Sequence, residues 1–192
     1  MLKPRMPTPR LYRVFPWVPG VRPHAPGHPL FSWLVQGAGR IDNPESYRTL
    51  YASDSPAGAI AEAFGNHATW TPQLLQGRRD LSGSVRALAE LDAKKVTVLN
   101  LDDPRELVRR QLRPSTVGIR DRTVTQRWAL DIFKEKRWAG VRWWSRYDSR
   151  WGAFGLWTVA DVRALKVTRL TADHPALIEA SAILSRPWKK LP

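Results

Sequence analysis

Glu62 is an isolated acid. It ends the block Ser55-Pro56-Ala57-Gly58-Ala59-Ile60-Ala61-Glu62, and no other Asp, Glu, Lys or Arg lies within seven positions on either side. Ser55 suits a helix cap and Pro56 the first helical position. The small residues that follow let such a helix press closely on a neighbour. An acid placed this way is either a plain solvent-facing residue or a group held for chemistry. Arg13 and Arg40 carry planar guanidinium forks that can meet phosphate oxygens in pairs. Tyr51 offers a flat wall for a ring. Ser145 brings one hydroxyl, with no histidine at a motif-like position near it, so it reads as a hydrogen-bonding group and not a nucleophile. Each has a plainer reading: a strand arginine is commonly solvated or salt-bridged, and a strand tyrosine is commonly core.

Other chemistries find less support. The chain has no cysteine, which excludes disulfides and thiolate zinc sites and suits a reducing cytoplasm. His24, His28, His67 and His174 lack metal-ligand spacing, so no metal is expected. Gly37-Ala38-Gly39 is not followed by the helix that a dinucleotide fingerprint or P-loop requires. No GxSxG elbow occurs.

Lys and Arg number 31 against 17 Asp and Glu, a formal charge of +14 over 192 residues. That excess fits an anionic partner or simply a basic surface. The basic residues are spread along the chain and not bunched into an arm. Arginines interleave with tryptophans between Trp138 and Trp157, the pattern of a single-strand nucleic-acid groove. A basic nucleic-acid-binding module without catalysis is therefore the alternative reading. Strand alternation accounts for the same pattern more simply, with one face core and the other solvent or pocket, so direct nucleic-acid binding is not expected. No apolar run reaches the length of a membrane span, and no signal peptide is recognisable.

The elements that must position these residues can be traced. Residues 1–9 read as a loose tail, and 10–192 as one domain. Strands are expected at Arg10–Phe15, Phe31–Val35, Leu50–Ser53, Val85–Leu91, Val96–Leu99, Val141–Trp144, Phe154–Val159 and Leu165–Leu170. Helices are expected at 56–66, from Asp103-Pro104 to Gln111, at Thr123–Trp138 with Gly140 ending it, and at Ala176–Leu184. Pro16 to Pro29 is too rich in Pro and Gly for regular structure. Gly37 to Pro44 reads as a turn-rich loop delivering Arg40. Strands outnumber helices without alternating strictly with them, which predicts an α+β fold.

Four fragments occur in a telling order: Leu11-Tyr12-Arg13-Val14; Gly39-Arg40 followed by Leu50-Tyr51-Ala52 and Ala61-Glu62; Thr125-Gln126; and Gly140-Val141 with Trp144-Ser145 behind. Together they resemble the RES domain over about residues 10–160. Two places depart from the family pattern. Ile41 stands where an aromatic is usual, and Gly152-Ala153-Phe154 forms the small-residue turn without its usual Asn.

The resemblance implies an ADP-ribosyltransferase-like fold, a mixed sheet core flanked by helices. It implies an enzyme acting on NAD⁺ as substrate, by hydrolysis, phosphorolysis or transfer of ADP-ribose to a protein acceptor. It further implies the toxin half of a bacterial toxin–antitoxin pair, cytoplasmic and blocked by an Xre-type antitoxin. A secreted effector with an immunity protein is the lesser variant. On that reading Arg13 and Arg40 grip the pyrophosphate and Tyr51 stacks on the nicotinamide ribose. Glu62 faces the positive charge that develops on the ribose, and Ser145 supplies a hydrogen bond. Gln126 reads as an ordinary polar surface residue.

Overall fold

The computed structural model describes residues 10–189. The tail expected at residues 1–9 lies outside them. Seven strands form one sheet: β1 (Leu11–Trp17), β2 (Leu50–Ser53), β3 (Val85–Asp92), β4 (Val98–Asn100), β5 (Gly140–Trp144), β6 (Gly152–Leu156) and β7 (Arg163–Arg169). Their order across the sheet is β4-β5-β6-β2-β1-β3-β7. Only β4 and β5 run parallel. The helices are α1 (Pro56–Phe64), α2 (Pro104–Arg109), α3 (Pro114–Gly118), α4 (Arg122–Lys134) and α5 (Pro175–Ile183). This is the α+β architecture expected from the strand-rich pattern. No helix among the described residues is long and apolar enough to cross a membrane.

Strand alternation divides the core between two faces. Leu11, Phe15, Leu50, Ala52, Ala87, Ala89, Phe154 and Leu156 point to one face, which residues from loops cover, among them Leu30, Val96 and Val162. The opposite face carries two helical layers. Tyr12, Val14 and Leu88 pack beneath α1 and α5. Val141, Trp143 and Ala153 pack beneath α2, α3 and α4. Between these layers the sheet is left uncovered.

The sheet is also weakest there. β1 pairs with β3 over seven residues, and β2 with β6 over four, yet β1 and β2 register only at Tyr12↔Ser53. The two central strands part beyond that point.

α1 follows its sequence closely. Ser55 accepts from Gly58 N at 3.2 Å, and Pro56 occupies the first turn. Gly58 is a packing requirement: a Cβ there would stand 2.5 Å from Ser53 Oγ and 3.2 Å from Trp151 Cβ. The apolar side of α1 buries Ala57, Ala59, Ile60, Ala61 and Phe64, which leaves Glu62 on the other side.

Some expectations are corrected. Phe31–Val35 forms no strand; Leu34 and Val35 are exposed, Phe31 stacks edge-on against Trp33, and no neighbouring strand offers hydrogen bonds. α4 stops at Lys134 and not at Trp138. Lys136 adopts a left-handed φ of 52°, and Glu135 is drawn to Arg110 and Trp138 instead. Gly140 opens β5 in place of ending a helix. Gly152-Ala153-Phe154 is not a turn but the start of β6. α3 was not legible, because five residues of Pro-Ser-Thr-Val-Gly carry no periodicity.

Candidate active site

A cleft of about 430 Å³ opens where the two helical layers and the two central strands separate. β1 contributes Tyr12, Arg13 and Val14, and β2 contributes Tyr51 and Ala52. Ala59, Glu62 and Ala63 of α1 form one bank; Gly118, Arg120 and Arg122, around the start of α4, form the other. Of the residues singled out from sequence, Arg13, Arg40, Tyr51 and Glu62 all line this one cavity. Ser145 is brought to the site but does not line the cleft. It is 3% exposed, directly behind Glu62.

Ser145 Oγ donates to Glu62 Oε1 at 2.6 Å and accepts from Tyr147 N at 3.2 Å. The backbone bond sets the hydroxyl's lone pair, so its proton is directed at the carboxylate. Glu62 itself stays exposed to the cavity. Ser145 thus holds the acid in one orientation.

Tyr51 has its hydroxyl committed. It donates to Asp42 Oδ1 at 2.6 Å and accepts from Ile41 N at 3.1 Å. Burial, reinforced by the Asp42 charge, pushes this phenol well above the usual tyrosine range. Tyr51 is therefore a neutral ring wall and no base.

Asp42, 4% exposed, organises the loop that carries Arg40. Its Oδ2 accepts from Gly37 N at 2.9 Å and Gly39 N at 2.7 Å. Gly39 packs so tightly against this pair that a Cβ would overlap the Tyr51 hydroxyl and lie 2.6 Å from Asp42 Oδ1. Gln126 is not an idle surface residue. Its Nε2 donates to Gly37 O at 2.8 Å and Gly39 O at 3.0 Å, pinning the same loop to α4. Ile41, in the place of the family's aromatic, is fully buried beside Gly155.

The electrostatics are one-sided. Arg13, Arg40, Arg120, Arg122 and Arg146 line the cleft against a single carboxylate, Glu62. None of the five forms an ion pair among the described residues. Arg13 donates to Pro29 O at 2.6 Å, and burial pulls its guanidinium down to about 10. It remains a cation at neutral pH. Arg40 donates through Nη1 to Val117 O at 2.6 Å and Ile119 O at 2.9 Å. Its pKa is lowered by burial first and then by the neighbouring Arg122 charge. Sequence reading missed Arg120 and Arg122; their spacing around the cap Asp121 was the available signal.

Four of the five tryptophans from Trp138 to Trp157 are buried or held through their indole N–H groups. Trp143 and Trp151 are buried core, and the indole N–H groups of Trp138 and Trp157 are tied to Glu135 Oε2 and Trp138 O. Alternation on β5 turns Trp143 into the core and leaves Arg142 and Trp144 half-buried on the other side.

A family model described as the RES domain matches residues 10–178. The chain belongs to the RES family. Among solved structures, this RES domain is similar to a chain in the crystal structure of the M. tuberculosis MbcT–MbcA toxin–antitoxin complex. The TM-score is 0.57, with 14% identity over 92% of this chain and 89% of that chain. At that identity the likeness is one of fold, the mixed sheet flanked by helices that the sequence led us to expect. No curated protein sequence matches the RES domain described here.

Proposed function

We propose that this RES-family protein is an NAD⁺-cleaving enzyme that breaks the bond between nicotinamide and its ribose. One observation carries the reading: a lone, hydrogen-bonded carboxylate, Glu62, shares a cleft of about 430 Å³ with five arginines that form no ion pair among the described residues. A pyrophosphate would supply the missing negative charge, and guanidinium forks suit it.

In the proposed reaction the C–N bond to nicotinamide breaks, and the departing ring keeps the electron pair and leaves neutral. The ribose carbon becomes oxocarbenium-like, and the Glu62 carboxylate stabilises that charge. Ser145 keeps the carboxylate aimed. Tyr51 presents its ring to the nicotinamide ribose. Water, phosphate or a protein side chain then adds to the ribose carbon and releases its proton. Water yields ADP-ribose.

The biological setting we propose is a toxin neutralised by a protein antitoxin of the Xre type. Family membership and a fold shared with a chain of a toxin–antitoxin complex support it. An acidic antitoxin would be drawn to a chain of charge +14.

The test is nicotinamide release from NAD⁺ by the purified protein, with water alone, with phosphate, and with cell extract as protein acceptor. Glu62→Gln should lower turnover by about 100-fold or more, with thermal stability unchanged. No release under any condition, or an equally active Glu62→Gln variant, defeats the reading.

A further inference from the structure

Arg122 opens α4, and its Nε donates to Ala38 O at 3.1 Å. Its Nη1 is buried and has no hydrogen-bond partner among the described residues. Orphaned guanidinium nitrogens in such places call for an explanation. The nearby Arg40 is held in the same fashion, its Nη1 fixed on the carbonyls of Val117 and Ile119. Two cations are thus immobilised on one bank of the cleft by neutral oxygens, with no carboxylate between them.

Arg40 and Arg122 line one cleft, where like charges repel; burial first and then the Arg122 charge lower the Arg40 pKa. The loop that joins them is braced rather than free to relax. Consecutive carbonyls of Gly37, Ala38 and Gly39 all accept from α4: Gly37 and Gly39 from Gln126, and Ala38 from Arg122. The opposite side of the loop is tied to Asp42. A rigid frame that holds two unneutralised guanidinium groups together is a preorganised anion site.

We propose that Arg122 and Arg40 together form a phosphate fork, so that Arg122 is a substrate-binding residue for the pyrophosphate of an ADP-containing ligand. Arg122 lines the cleft with only its Nε committed among the described residues, to Ala38 O, and Arg40 supplies the second charge. This rests on the reading of the cleft as a dinucleotide site but not on any cleavage taking place there.

The test is direct binding of ADP-ribose to the full chain by calorimetry, with adenosine as the uncharged comparison, for wild type and for Arg122→Gln, Arg122→Lys and Arg127→Gln. Arg127 is exposed on the same helix, so its variant controls for net charge alone. Arg122→Gln should weaken ADP-ribose about tenfold or more and leave adenosine unchanged. Arg122→Lys should recover part of that loss, and Arg127→Gln should bind like wild type. Thermal melting confirms that each variant is folded. In the NAD⁺ assay the same loss should appear in KM, with kcat within twofold.

Wild-type affinity in a folded Arg122→Gln variant overturns the fork, as does an equal loss in Arg127→Gln or a wild type that binds no ADP-ribose. A wild type that binds ADP-ribose through Arg122 yet never releases nicotinamide leaves the fork standing and removes the cleavage reading. Normal cleavage with an unchanged KM in Arg122→Gln does the reverse.

Discussion

Ser145 and Glu62 lie 83 residues apart in sequence and meet through a 2.6 Å hydrogen bond from the serine hydroxyl to the carboxylate. One follows β5 and the other sits on α1, so the bond locks a helix side chain to the residue just after the end of β5. Removing it should free the carboxylate to rotate into solvent. Ser145→Ala is expected to lower kcat for NAD⁺ cleavage by about 10- to 100-fold, the cost of a misplaced reacting group. Stability should fall by only about 1 kcal/mol, because Glu62 is exposed. Steady-state kinetics alongside denaturant unfolding check this; an undiminished kcat would show that the bond has no part in turnover.

The phenol of Tyr51 acts on the loop and not on the substrate. Tyr51→Phe keeps the ring but leaves Asp42 Oδ1 and Ile41 N without this partner. It should cost about 1–3 kcal/mol in unfolding free energy and raise KM through a displaced Arg40. Gly39→Ala should do more, because its Cβ would collide with the Tyr51 hydroxyl and the Asp42 carboxylate. Urea unfolding and KM measured together decide the matter. If Tyr51→Phe abolishes turnover at full stability and unchanged KM, the hydroxyl has a direct chemical role.

Arg13 is a half-buried cation with no acidic partner among the described residues, held by one carbonyl. Such a charge does little for the fold. Arg13→Met should therefore leave stability within about 1 kcal/mol of wild type, losing one hydrogen bond while relieving a desolvated charge. ADP-ribose affinity should drop by roughly 10- to 100-fold, the value of a charged hydrogen bond. Calorimetry and thermal melting check both halves; a strongly destabilised variant with intact affinity would make Arg13 a structural residue.

His28 gives a pH prediction. Its Nδ1 accepts from Leu30 N at 3.2 Å, which requires the unprotonated ring. Burial first, then the charges of His24 and Arg13, lower its pKa below 6.5. The unfolded chain consequently takes up the proton first as pH falls. The stabilisation is fully present above about 6.5 and is lost on acidification through the lower folded value. Hydrogen exchange at the Leu30 amide, corrected for intrinsic rate, should lose protection below that range. His28→Asn, an acceptor that does not titrate, should remove the pH dependence. Identical pH profiles in the two proteins would dismiss the histidine.

Local rules made much of this molecule readable. Ser55-Pro56 fixed the start of α1, Asp103-Pro104 that of α2, and the apolar alternation of Val85 to Leu91 marked β3. Caps and two-residue periods act over a few positions, so the sequence displays them openly. Phe31–Val35 shows the limit. The residue types suit a strand, but a strand needs a partner, and none lies beside it.

The sequence by itself determined the α+β class, the placement of Glu62 on a small-residue helix, and the arginines, tyrosine and serine in their order. Only the tertiary structure decided that β1 and β2 part beyond Tyr12↔Ser53 and that a cleft opens there. It alone put Ser145 behind Glu62, Asp42 against the Tyr51 hydroxyl, and Arg122 in one cleft with Arg40. Those relationships join residues as many as 83 positions apart. They depend on how sheet and helices pack, which no local pattern encodes.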